Sequence, residues 1–188
     1  MIDRSLQEQP VVSPGSLLVA HPSLTEPNFR RSVILIVSDP AEQGSMGVVL
    51  NQSTGSTLGQ HELQMLPSSL TQVPLYRGGP VAPRQLLLVA WRWEPDVGVF
   101  QLLFGIEPAK AAELLSQDNG FRVRAYLGYA GWAQGQLQSE LQAEAWLPMQ
   151  LIPEIDSLDA DPLWRFLLAS KGVRMQLASY APDKPLLN

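Results

Sequence analysis

The six residues Ser32 to Val37, SVILIV, hold five consecutive apolar side chains that begin and end on valine. Such a run is a strand buried on both faces or lying near the middle of a sheet. Before it come the short apolar strand GSLLVA (15–20), ended by Pro22, and a turn at LTEPNF (24–29). After it, EQGSMGVVLN (42–51) reads as a turn and a second strand, so the two pair as a hairpin. PLYRGGPV (74–81) is extended. RQLLLVAW (84–91) and VGVFQLLF (97–104) flank the polar turn RWEPD and read as antiparallel partners. FRVRAYLGY (121–129) alternates strictly, with Phe121, Val123, Ala125, Leu127 and Tyr129 on one face, the pattern of a half-buried strand. Arg122 and Arg124 then share the opposite face, two positions apart, which reads as a solvated strand face with a small anion-binding patch as the alternative.

Helices fall between these groups. Thr57 is placed to cap a helix running to about Leu66, with Leu58, Leu63 and Leu66 on one side. EPAKAAELLSQDNG (107–120) has proline in its first turn and Asn119-Gly120 as its stop. A third helix starts near Gly135 or Gln136 and carries Leu137, Leu141 and Ala145 in one stripe. DADPLWRFLLASKG (159–172) has Asp161 as N-cap, Pro162 as first helical residue and Gly172 as stop. VRMQLASYAPDKPLLN (173–188) reads as a short edge strand and a tail. Hairpins separated by helices, without βαβ alternation, predict an α+β fold with a mixed or mostly antiparallel sheet. The 188 residues suit one domain over 15–180, with tails at 1–14 and 181–188.

Thirteen basic against 18 acidic residues give a net charge of −5, which disfavours direct nucleic-acid binding. Zero cysteines exclude disulfides and thiolate chemistry. No apolar run reaches membrane-spanning length, and MIDRSLQEQP lacks the apolar core of a secretory signal, so a cytosolic protein with no membrane contact is expected. The two histidines, His21 and His61, sit on different elements, one at a strand end and one on a surface helix, too few for a zinc centre. Ser45 in QGSMG precedes a strand, whereas a hydrolase elbow requires a helix there. The bend at Gly128, Gly131 and Gly135 leads into a helix N-terminus, but it lacks phosphate-loop spacing and any nearby Lys or Arg. Its glycines read as sites of positive φ or close packing, and the pair in YRGGPV as a close approach of backbone to another element. Trp132 and Trp146 read as core or interface, and Glu140 with Glu144 as a solvated helix face.

Several segments resemble the AlgH family, also called YqgE: GSLLVAHPSLTEPNFRRSVILIV, GSMGVVLNQ, YRGGPV, AYLGYAGWAQGQLQSEL and AWL, with a weaker echo in DPLWRFLLASKGV. The resemblance implies an α+β fold whose bifurcated sheet curls into a pseudo-barrel flanked by helices. The family is named for a role in regulating alginate synthesis and is often called a transcriptional regulator. It brings no assigned catalytic residue, cofactor or metal ligand. Many relatives carry a histidine near the position of Asp39 and another near that of Ala90; this chain has neither. The expectation is a regulatory or binding module without catalytic activity, working through a protein partner. The candidate ligand or partner surface is Asn51, Gly78, Gly79, Pro80, Tyr129, Gly131, Trp132, Gln136, Glu140 and Trp146. The competing readings are a small-molecule binder or enzyme with a pocket near Asn51, Gly79 and Trp132, and a regulator that binds DNA directly.

Overall fold

A computed structural model describes residues 12–40, 43–61, 66–117, 119–158 and 160–181. Of the expected tails, 1–11 and 182–188 lie outside the described residues. Val12, inside the span expected to be tail, already packs against the main core. The strands are β1 (Ser16–Ala20), β2 (Val33–Ser38), β3 (Ser45–Val49), β4 (Ser53–Thr57), β5 (Pro74–Arg77), β6 (Val81–Glu94), β7 (Val99–Phe104), β8 (Arg122–Trp132) and β9 (Trp146–Gln150). The helices are α1 (Pro108–Ser116), α2 (Gln136–Gln142), α3 (Ala160–Ser170) and α4 (Val173–Ser179). The architecture is α+β, and among the described residues every strand pair is antiparallel except β5 with β8.

The apolar run that opened the sequence forms β2, central in the order β4-β5-β8-β3-β2-β1-β9, and Val33 to Val37 are all buried. Its hairpin with β3 is present, Ile34 facing Val49 and Ile36 facing Gly47. The sheet branches at β8. One edge of β8 carries β6 from Arg122 to Tyr129, while β5 pairs with Ala125 to Leu127 and β3 with Ala130 to Trp132. Among the described residues β7 pairs only with β6, and β4 and β9 end the main path, so the sheet is not closed.

Because β5 and β6 both bond to Ala125–Leu127, they occupy opposite edges of β8. The chain must therefore pass over β8 between them, and it does so at Gly78-Gly79-Pro80. The Gly78 N–H donates to the Leu127 carbonyl at 2.8 Å, and the Gly78 carbonyl accepts from Val49 N–H at 2.9 Å. A Cβ on Gly78 would lie 2.2 Å from the Gly128 oxygen, and one on Gly128 (φ +70°) would lie 2.5 Å from the Gly79 oxygen. Backbone meets backbone at a distance only glycine permits.

β8 separates two apolar cores. Tyr126, Ala130 and Trp132 face the larger one, with β1–β3 and α3; Val123 and Ala125 face the smaller, with Leu58, Leu70, Leu88, Ala111 and Leu114. The strand expected to be half-buried is thus buried on both faces. In α3, Trp164 is buried and its indole N–H donates to the Ala20 carbonyl at 2.7 Å, tying the helix to β1.

Four local expectations are corrected. The helix expected from Thr57 is a single 3₁₀ turn, Leu58–Gln60, after which His61 is extended; residues 62–65 lie outside the described residues. Here Gln60 Oε1 accepts from the Thr57 N–H at 3.0 Å, and Gly59 lies against Thr71, so tertiary packing replaces the apolar stripe. The edge strand expected after Gly172 is α4: Val173 and Leu177 of the misleading alternation are exposed, and Met175, Ala178 and Ser179 turn inward at helical spacing. The third helix ends at Gln142, so Ala145 leaves its stripe and Trp146 opens β9, which pairs with β1. Asp161 lies inside the first turn of α3 and does not precede it; its carboxylate takes Arg31 Nη1 at 2.7 Å.

Candidate functional site

The residues singled out in the sequence separate into three structural knots; Tyr129, Gly131 and Trp132 line one cleft of about 300 Å³, whose lining does not include Asn51 or Gly79. The first is Asn51, which is buried. Its Oδ1 accepts from Val33 N–H at 2.8 Å, and its Nδ2 donates to the Arg31 and Ala160 carbonyls at 2.9 and 3.1 Å. This side chain joins the start of β2 to the start of α3, and its acceptor and both donors are engaged. The second is the crossing of Gly78, Gly79 and Pro80 over Gly128 described above, where Val81 faces Tyr129 across the ladder. Pro80, Val81 and Gly131 are exposed there and Tyr129 is half-buried, so this part of the expected surface does reach the outside.

The third knot is centred on Glu140. One carboxylate oxygen, Oε2, accepts from the indole N–H of Trp132 at 2.8 Å and from that of Trp146 at 2.7 Å. The other, Oε1, accepts from Gln136 Nε2 at 2.9 Å, and Gln136 Oε1 accepts from the Ala133 N–H at 3.0 Å. Both tryptophans are buried and meet edge-on with centroids 6.0 Å apart, while Phe29 packs against each at 6.5 and 5.7 Å. Glu140 was expected on a solvated face. It is half-buried because two amphipathic indoles need an acceptor once their rings enter the core. Glu144 stays exposed, with φ +55° in the turn that ends α2.

The remaining suspects resolve locally. Ser45 Oγ donates to Asp39 Oδ1 at 2.6 Å from within β3, so Ser45 does not stand on a strand-to-helix elbow. His21 Nδ1 and Ser23 Oγ are 2.7 Å apart in the turn after β1, in keeping with a turn residue.

A cleft that the sequence marks only through the Arg122 and Arg124 pair lies beside the first residues of β8. It encloses about 450 Å³ and is lined by Ser69, Gln72, Tyr76, Arg122, Arg124 and Asp156, with apolar neighbours including Val73 and Phe121. Arg124 was expected on a solvated face with Arg122; it is 7% exposed and sits between two aromatic rings. The two-residue spacing places both arginines on one side of the strand, but burial along that side depends on Tyr76, Trp91 and the 153–156 turn. No local signal identifies those neighbours. Asp156, which no motif marks, accepts the Trp91 indole N–H at 3.1 Å.

An α+β sheet branched at β8 by a glycine crossing, with two tryptophans gathered on one glutamate, defines a structural class. The chain matches the family model described as AlgH-like over residues 17–176, and it belongs to the AlgH-like family. It is 33% identical over 187 residues to a UPF0301 protein of Streptomyces coelicolor, covering 93% of this chain and 94% of that one. A UPF0301 protein of Thermobifida fusca is 30% identical over 195 residues, with coverage of 93% and 94%. Among solved structures, a Corynebacterium diphtheriae protein aligns with a TM-score of 0.69 at 24% identity, covering 93% of this chain and 95% of that one. The AlgH protein of Pseudomonas aeruginosa aligns with a TM-score of 0.64 at 24% identity, covering 95% and 99%. These likenesses confirm the fold. No described helix is long and apolar enough to cross a membrane.

Proposed function

We propose that the protein is a binding module of the cytosol with no catalytic centre, acting through what it holds and passing its effect to a protein partner. One observation carries this reading: the polar side chains of its most distinctive segments are committed to the fold. Asn51 engages its acceptor and both donors, and Glu140 uses both oxygens on Trp132, Trp146 and Gln136. A general acid or base must be in reach of a substrate proton, and these groups are occupied by their own chain. Incubating the purified protein with a metabolite extract, followed by mass spectrometry of the free and retained fractions, tests it. Ligand is expected in the retained fraction with no extract component consumed; consumption over many turnovers overturns the reading.

Charge argues against DNA as the ligand. The net charge is −5, and Arg31, Arg92 and Arg165 each lie within ion-pair distance of Asp161 or Glu94. A duplex-binding surface needs cations turned outward along a track of phosphates. No mobility shift is therefore expected with random duplex DNA at low salt, where non-specific binding is strongest. A salt-sensitive shift in that assay contradicts the expectation.

A further inference from the structure

Arg124 is the buried cation of the cleft beside β8, and the groups that hold it are neutral. Nη1 donates to the Leu50 carbonyl at 3.3 Å and Nη2 to the Ile155 carbonyl at 2.9 Å. Its guanidinium carbon lies 4.7 Å from the centre of the Tyr76 ring and 5.2 Å from that of Trp91. Among the described residues no carboxylate forms an ion pair with it. Withdrawing a guanidinium from water carries a large desolvation penalty, and buried charges are ordinarily matched by an opposite charge. A guanidinium has five N–H donors. The two carbonyls take two of them, which leaves three.

The strand topology produces the opening. β5 begins its pairing with β8 at Ala125, so among the described residues one edge of Arg122–Arg124 has no strand against it there, and the cleft occupies that place. Arg122 stands exposed at the rim, and Ser69 and Gln72 add neutral hydrogen-bonding groups. Asp156 opposes them, its carboxylate held on the Trp91 indole.

We propose that this cleft binds a small ligand through an oxyanion, carboxylate or phosphate, with Arg124 as the fixed anchor and Arg122 as the second cation. The planar guanidinium fork matches either oxyanion. Two rings and two carbonyls hold the fork in place, so little side-chain freedom is lost on binding. This inference deepens the binding-module reading and rests on it.

The test titrates inorganic phosphate and succinate, at constant ionic strength, into the full-length protein. The Trp91 indole N–H resonance and the thermal midpoint are followed. A saturable displacement of that resonance and a rise in midpoint are expected for at least one anion, because a ligand stabilises the state it binds. Arg122→Gln is expected to weaken binding by about fivefold and Asp156→Asn to tighten it by about fivefold, the scale of one charge several ångströms away in wet surroundings. The asparagine amide keeps an oxygen for the Trp91 indole, so the fold is preserved while the charge is removed. Arg124→Gln is expected to abolish the response; if it does not fold, the opposite signs at positions 122 and 156 decide. A linear, non-saturating response, or equal affinities in the Arg122 and Asp156 variants, overturns the proposal. Ligand retained from the metabolite extract but indifferent to both substitutions overturns the oxyanion cleft alone, and consumption of an extract component overturns the module reading.

Discussion

Glu140→Ala lowers the unfolding free energy by about 3–5 kcal/mol, measured by urea denaturation at neutral pH. The magnitude follows from what the carboxylate holds. Two indole N–H groups converge on one oxygen, and the tryptophans that carry them are 5% and 3% exposed. A buried donor left without an acceptor costs about 1–3 kcal/mol, and alanine leaves two of them. Gln136 also loses its acceptor, but it is exposed and water replaces it. Glu140→Gln retains an oxygen that can face the indoles, so its loss is smaller, about 1–2 kcal/mol. Tryptophan fluorescence should change in the alanine variant even where it remains folded, since Trp132 and Trp146 lose their shared partner. If alanine proves as stable as the parent protein, the carboxylate is not the centre of this core, and the case for its being occupied by the fold weakens with it.

Gly79→Ala is expected to abolish folding or to destabilise by more than about 4 kcal/mol. Its φ is +152°, and a Cβ there would sit 2.2 Å from the Tyr129 carbonyl carbon and 2.4 Å from Ala130 N. Those atoms are backbone of β8, the strand that holds both cores together, so neither side can yield. Relief requires lifting the crossing off β8 and losing the bond from Gly78 N–H to Leu127. Gly135→Ala supplies the contrast. Its φ is +76°, but nothing lies within 4 Å of the added carbon, so only the left-handed conformation is penalised, at about 1–2 kcal/mol. Soluble yield and the thermal midpoint of the two variants check the pair. Equal effects would show that conformation, and not the crossing, sets the requirement for glycine.

The elements that read correctly are those whose pattern suffices locally. SVILIV became the central strand because five consecutive apolar side chains have no solvated face to offer. Proline in the first turn of α1 marked that start because a first-turn N–H has no helical acceptor anyway. The failures came where two periods compete. Val173, Met175 and Leu177 alternate as in a strand, yet the segment packs as a helix with Met175, Ala178 and Ser179 inward. A seven-residue segment satisfies either period, and contact with α3 decides. At β8, strict alternation predicted one wet face. The even-numbered face from Tyr126 onward instead meets the larger core with β1–β3 and α3, and Arg124 lies against the rings of Tyr76 and Trp91.

Legibility of the candidate site divides in the same way. The glycines of YRGGPV and Gly128 announced close packing, because glycine's permissiveness is an intrinsic property of the residue, whereas Gly131 is exposed and a Cβ there would meet nothing nearer than the Tyr129 ring at 3.4 Å. Their meeting, Gly79 upon Gly128, is a contact between distant segments and depends on β5 and β6 taking opposite edges of one strand. Likewise the sequence alone marked Trp132 and Trp146 as core or interface and placed Glu140 four residues after Gln136. Only the tertiary structure brought both indoles onto one carboxylate oxygen and left Arg124 buried without a charged partner among the described residues. The physical reason is one of range. Periodicity, capping and backbone freedom act within a few residues, whereas the burial of a charge is set by chains that arrive from elsewhere, here Tyr76, Trp91 and Ile155.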